Sequence, residues 1–400
     1  MSATIERGFA MKKDMNELIR MSRFYGENTD MIQAGGGNTS FKAGDVMCVK
    51  ASGKNLKEVQ SEEDFVTVDL VGIGSILADN TLSGLDDNER DVIISTKLLA
   101  ARTEATVNRP SIETFLHALI DRKFVVHTHP VYVNAMTCSA DGHEIALKLF
   151  SRSDYVWIPY KKPGYPVACV LDEAISGHYT EFGTRPVLVF MQNHGLIAAG
   201  DSFEEINGLT EKTISPIREY FSGYDAPDKD AEINTVNGKI MTVLEKALNE
   251  RLPGAGSDLK WSRCPYVTML SKGNLKNIAL SGAFSPDHIV YCGEEPLLLG
   301  AEDSLKAVSG KVSDFTERLG YGPRYFIVSG EGVIILGSNE REIAAREEIL
   351  RTHIKTLMLV LRKSRPVFLG GDECRYLAHW ESEKFRQKLL KKAGSDEARR

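Results

Sequence analysis

The sequence predicts an α/β fold in which helices and strands interleave, laid out over more than one domain. Three observations carry this. Two short apolar runs rich in Val or Phe, residues 124–129 and 186–192, read as buried strands. Between them Ile112, Phe115, Leu116, Leu119 and Ile120 recur at helical spacing over residues 111–120. At about 150 residues per domain, a chain of 400 residues that is 42% hydrophobic can form two or three cores.

The other elements follow in order. A helix is expected from Met11 to Gly26, running into Gly35-Gly36-Gly37-Asn38-Thr39-Ser40. Two strand-like runs, TSFKA and VMCVKAS, then flank Gly44-Asp45, a hairpin signal. A helix from Ser202 to Phe221 leads into residues 221–239, a polar stretch rich in Gly, Asp and Asn that marks a domain boundary. Beyond it lie the apolar run PYVTML at Pro265, the hairpin-like YFIVSGEGVIILG at Tyr325, and a long helix from Asn339 to Arg362. That helix carries Ile343, Ile349, Leu350, Ile354, Leu357 and Leu361 and should pack on a sheet. The expected division is a domain at 1–225, a helical linker at 226–260 and a smaller α/β domain at 261–400. The charged end KKAGSDEARR is expected to fray, and no internal repeat is visible.

Composition narrows the function classes. With 49 Lys+Arg against 55 Asp+Glu and no long basic run, nothing offers the footprint of a nucleic-acid partner. No stretch reaches the roughly 18 apolar residues of a membrane span, and the N-terminus lacks the apolar core of a signal peptide. Six cysteines without a CxxC pair fit a reduced compartment, so the expected location is the cytoplasm.

Chemistry concentrates at His127-Thr128-His129. On a strand, residues i and i+2 share a face, so two imidazoles at this spacing can chelate one metal; the alternative is two histidines at an exposed strand end. A second strand ends in Asn193-His194-Gly195, placing a third imidazole at a strand terminus, with the glycine allowing a sharp turn. Three such ligands suit zinc with a position left open. Ser111 and Glu113 open a helix after Pro110, where an anion or metal site can form, or where Glu113 is simply well placed in a first turn. Glu113 and His117 share a helix face, although His117 reads better as a packing residue. The glycines of residues 35–37 can build a phosphate-binding nest or a tight turn, and Ser52-Gly53-Lys54 could close over the same anion. Asp287-His288 in the second half could reach an active site from the appended domain, although Asp287 reads better as capping or shaping a turn.

The ordered set GGGNTS, VKASG, PSIETFLH, HTHP, IPYKKPG and NHGL resembles the class II aldolase/adducin family of zinc-dependent sugar-phosphate aldolases. PSIET, PDHIV…EEPLLL and WESEKFRQKL are further similar to the aldolase portion of bifunctional rhamnulose-1-phosphate aldolase/lactaldehyde dehydrogenase proteins. No GxGxxG opening is present, so no nicotinamide chemistry is expected from this chain. The resemblance implies a layered αβα domain with a central mixed, largely antiparallel sheet. It implies His127, His129 and His194 as ligands of Zn2+ or another divalent metal, with Glu113 as catalytic acid/base and Tyr160 assisting proton transfer. Asn38, Thr39, Ser52, Gly53 and Ser111 would hold the substrate phosphate, although Ile112 stands where many members have a second serine. The implied partner is a phosphorylated sugar, and the implied assembly a homo-oligomer, a tetramer by family. The implied reaction is retro-aldol cleavage of a ketose 1-phosphate. Sugar-phosphate 4-epimerisation, decarboxylation and a non-catalytic adducin-like module are the alternatives.

Overall fold

The hairpin read at Gly44-Asp45 is the starting piece of the sheet: β1 (Asn38–Ala43) and β2 (Val46–Lys50) pair with Ala43 opposite Val46, so the turn is two residues long, and Gly44 takes a left-handed φ of 61°. The structure is a computed structural model and describes residues 2–223, 236–253 and 258–379. The expected fraying of KKAGSDEARR and the WESEKFRQKL motif both lie outside the described residues.

The described chain divides into two compact units between Ser222 and Gly223. The first unit adds β3 (Phe65–Asp69), β4 (Phe124–Thr128), β5 (Val156–Ile158), β6 (Leu188–Met191) and β7 (Gly195–Gly200). They form one seven-stranded sheet in the order β3-β2-β1-β4-β7-β6-β5, antiparallel throughout except for the parallel β5–β6 pair. β4 and β6, which hold the two apolar runs, are buried along their whole length, which explains why they read as continuous apolar runs rather than as alternating ones.

Eight helices belong to this unit: α1 (Ser2–Glu27), α2 (Leu70–Leu77), α3 (Asp87–Ala100), α4 (Thr114–Leu119), α5 (Val131–Thr137), α6 (Gly142–Leu149), α7 (Tyr165–Phe182) and α8 (Phe203–Tyr220). They cover both faces of the sheet. On one face Ser40 of β1 hydrogen-bonds with His117 of α4, and on the other the neighbouring Thr39 hydrogen-bonds with Ser22 of α1. Local chemistry fixes the helix ends. Ser202 caps α8 by accepting the Glu205 backbone N–H, while Glu205 reaches back to the N–H of Asp201. The helix expected from Ser111 starts later, at Thr114, because residues 111–113 form a turn in which the Ser111 hydroxyl accepts the Glu113 N–H.

The second unit holds α9 (Gly238–Arg251), β8 (Asp258–Trp261), α10 (Pro265–Thr268), α11 (Leu275–Ala279), α12 (Pro286–Cys292), β9 (Leu297–Leu299), α13 (Leu305–Leu319), β10 (Tyr325–Val328), β11 (Gly332–Gly337), α14 (Glu340–Lys363) and α15 (Gly371–His379). Its sheet runs β8-β11-β10-β9, with β9 parallel to β10. The segment expected to be a helical linker is part of this unit. Ile240, Leu244, Ala247 and Leu248 of α9 are buried in its core together with Trp261, Phe315 and Phe326, and Asp258–Trp261 is a strand of its sheet. The PYVTML run is a short helix and a 3-10 turn, since Pro265 occupies a first helical position that needs no N–H donor. Among the described residues no helix is long and apolar enough to cross a membrane.

Candidate metal centre

The site is built where three segments of the first unit meet. β4 carries His127, and the chain leaves the strand one residue later, so His129 follows on the same side. The β6–β7 connection supplies His194. Its tight turn depends on Asn193, which takes a φ of 54°. Gly195, expected to ease this turn, serves a different need: its φ is ordinary, but a Cβ there would lie 2.4 Å from the Thr128 carbonyl oxygen and 2.7 Å from Cδ2 of His129. Glycine is required because the two strand ends approach closely around the imidazoles.

One nitrogen from each of His127, His129 and His194 falls within 4.8 Å of the others, and all three residues are buried. Nδ1 of His127 lies 3.0 Å from the Leu196 carbonyl oxygen, and its Nε2 lies 3.0 Å from Nε2 of His129. A proton on Nδ1, donated to that carbonyl, leaves the Nε2 lone pair facing the other two rings. Three converging, buried imidazole nitrogens fit a divalent cation of the zinc type.

Glu113 stands at the N-cap of α4, 7% exposed, with Oε1 3.2 Å from Nε2 of His194 and 3.6 Å from Nε2 of His127. Burial works to raise its carboxyl, but His127, His194 and His129 beside it outweigh that and hold it well below the ordinary carboxylate value. Burial holds His127 well below the ordinary imidazole value, with the other two imidazoles adding to the effect and Glu113 opposing it. At neutral pH the arrangement is an ionised Glu113 carboxylate beside a neutral His127, the state a metal requires of these two groups.

Asn38 lies directly opposite His127 in the β1–β4 register, so the two side chains share a face. The Asn38 amide is fully buried, and neither its nitrogen nor its oxygen has a hydrogen-bond partner. Thr39 is on the reverse face, with its hydroxyl 2.7 Å from that of Ser22, so a phosphate role for it rests on its backbone alone. The Ala51–Pro110 bridge brings the Ser52-Gly53 segment beside the Ser111 turn, with the Ser52 N–H donating to the Arg109 carbonyl and Gly53 at φ 83°. Tyr160 follows β5, and its N–H donates to the Gln192 side chain, next to the turn that bears His194.

The sequence also held a feature that the motif reading passed over. Asn38, Ser40 and Lys42 alternate along β1, and the last two fasten α4 to the sheet: Ser40 hydrogen-bonds with Nδ1 of His117 at 2.8 Å, and Lys42 donates to the Ile120 carbonyl at 2.8 Å. His117, read as packing, is buried as expected. His288 is buried in the second unit against His353 and Tyr325, while Ser285 caps α12 there.

Residues 16–213 match the family model of the class II aldolase and adducin N-terminal domain, and this part of the chain is a class II aldolase/adducin domain. Over 431 aligned residues the chain is 25% identical to the uncharacterized oxidoreductase YuxG of Bacillus subtilis (strain 168), covering 96% of this chain and 60% of that protein. The chain thus spans about 60% of the length of that relative. Among solved structures, the N-terminal class II aldolase domain of a conserved protein from Thermoplasma acidophilum is 25% identical, with a TM-score of 0.43 over 52% of this chain and 93% of that one. An L-fuculose 1-phosphate aldolase is 18% identical, with a TM-score of 0.35 over 55% and 92%.

Proposed function

We propose that the chain is a metal-dependent lyase that cleaves a ketose 1-phosphate of the rhamnulose 1-phosphate type to dihydroxyacetone phosphate and an aldehyde, lactaldehyde for that sugar. The observation that supports this most directly is the Glu113 carboxylate standing 3.2 Å and 3.6 Å from two of three convergent imidazoles. His127, His129 and His194 would hold the cation, zinc by the resemblance, which when bound supplies Lewis acidity toward the ketose oxygens. As the carbon–carbon bond breaks, its electron pair stays with the dihydroxyacetone phosphate fragment, and Glu113 delivers a proton to the carbon that lost the bond. The hydroxyl of the departing carbon gives up its proton as the aldehyde forms, a transfer that Tyr160 would assist. The Glu113 carboxylate, ionised at the outset, takes up that proton before passing it to the carbon. Asn38, with both amide atoms buried and uncommitted, would bind the phosphate with Ser52, Gly53, Ser111 and the Thr39 backbone. A homo-oligomer is part of this reading.

The test incubates the purified, zinc-loaded protein with a panel of ketose 1-phosphates and their unphosphorylated forms, trapping the released aldehyde. Cleavage of a phosphorylated ketose is expected. An epimer or carbon dioxide as the product, or no turnover of any phosphorylated ketose, would replace the lyase reading.

A further inference from the structure

Two stretches of this chain fold to the same plan. In the first unit, β5, α7, β6, β7 and α8 follow one another. In the second, β9, α13, β10, β11 and α14 do so with the same pairings, β5 parallel to β6 as β9 is to β10, then an antiparallel hairpin and a helix. Residue for residue, Val189 pairs with Ile197 as Phe326 pairs with Ile334.

The irregular positions correspond at one constant spacing. Gly183 and Gly320 end their helices at φ 72° and 75°, and Asn193 and Gly330 take φ 54° and 79° in the hairpin turns. Ser202 and Asn339 cap the following helices, while Glu205 and Glu342 each reach back 2.8 Å to the N–H before the cap. The Asn193 N–H donates to the Thr137 carbonyl, and the Gly330 N–H to that of Ser271. Turn geometry, caps and cross-segment hydrogen bonds have separate physical causes, and chance does not align them all.

The correspondence extends to the ligand strand. β4 lies antiparallel to β7 with His127 opposite Ile197, and β8 lies antiparallel to β11 with Trp261 opposite Ile334. Gly195 is confined by the rings of His127 and His129. In the same way Gly332 is confined by Trp261, whose Cζ2 would lie 2.5 Å from an added Cβ. Glu113 sits at the N-cap position of α4, without a side-chain capping hydrogen bond, and meets His194 at 3.2 Å. Asn237 caps α9, and its Nδ2 donates to Oε2 of Glu331 at 2.8 Å.

We propose that the described residues from Asn237 to Lys363 are a second, degenerate copy of residues 113–220, a pseudo-catalytic module in which the metal set has been replaced: Asn237 stands for Glu113, Trp261 for His127, Arg263 for His129 and Glu331 for His194. This rests on reading the first set as a metal centre. The replacements abolish ligation by their chemistry. An indole N–H and a guanidinium are donors with no lone pair to give, and an amide carries no charge. Glu331 alone could bind a cation, and one carboxylate does not make a site. The repeat escapes a reading of the sequence because identity is concentrated at turns and caps, where backbone geometry is exacting, while apolar strand residues interchange freely.

The test counts metal. After dialysis against Zn2+ or Co2+, elemental analysis should find one equivalent per chain in the wild type and none in His127→Ala/His129→Ala; two in the wild type, or one kept by that variant, overturns the proposal. The variant Trp261→His/Arg263→His/Glu331→His should gain one equivalent over its parent, with new d–d absorption in the Co2+ form. No gain in a variant with unchanged circular dichroism overturns the correspondence. Should that variant fail to fold, the metal counts of the first two proteins still decide. A wild type without metal would sink the metal reading of the first unit, whereas a gain in the triple variant would still uphold the copy.

Discussion

A carboxylate surrounded by imidazoles can be a ligand or a proton carrier, and the two roles part under substitution. Glu113 is ionised beside the His194 and His127 rings, and its nearest approach is to the nitrogens that would face the metal. Glu113→Gln keeps the shape and an acceptor oxygen but cannot carry the proton. We expect it to retain its metal while turnover falls by on the order of 10²- to 10⁴-fold, the usual weight of general acid–base catalysis. Undiminished turnover in that variant would remove Glu113 from the chemistry. His129→Ala should do the opposite, lowering bound metal first and activity in proportion. Stoichiometric metal by elemental analysis in His129→Ala would take His129 out of the ligand set. His129 is held for this role by its backbone, whose N–H donates to the Met31 carbonyl at 2.9 Å.

At the scale of elements, the glycine after His194 separates what was legible from what was not. The strand ends bearing His127 and His194, the Gly44-Asp45 hairpin and the Ser202 cap could be read from spacing and residue type, because each is a local event. The need for Gly195 could not, since it arises from the approach of β4 and appears only when distant segments are brought together. Thr39 is a similar case: adjacent to Asn38 in a glycine-rich run, it faces the other side of the sheet once that run becomes a strand. In Gly195→Ala the new methyl meets a backbone oxygen that cannot swing aside, so both thermal stability and metal content should drop. Gly74 in α2 has nothing within 4 Å of an added Cβ, so Gly74→Ala should instead stabilise by about 0.5–1 kcal/mol through helix propensity. Calorimetry of the two variants checks the contrast, and equal behaviour would contradict the packing described around the imidazoles.

The acid response of the whole molecule should be governed in part by residues far from the chemistry. His288 and His353 stack edge to face in the second unit with ring centroids 4.0 Å apart, and both nitrogens of His288 are buried without a hydrogen-bond partner. Burial, aided by the Arg324 charge, pushes His288 down to about 3, and burial with His288 alongside holds His353 well below the ordinary 6.5. The unfolded chain therefore binds protons at these positions below pH 6.5 that the folded chain refuses. Their contribution to stability is fully present above about pH 6.5 and is lost as pH falls toward 3, at about 1.4 kcal/mol per pH unit for each histidine. His288→Phe keeps the ring, gives up no hydrogen bond and removes one titrating site. Its urea-unfolding free energy should match or exceed that of the wild type at pH 7 and should fall less steeply between pH 6 and pH 4, by the slope of one proton. A variant that loses stability on acidification as steeply as the wild type would show that His288 already carries its proton in the fold, or is neutral in both states, and the acid lability would then have to be sought among the buried imidazoles of the first unit.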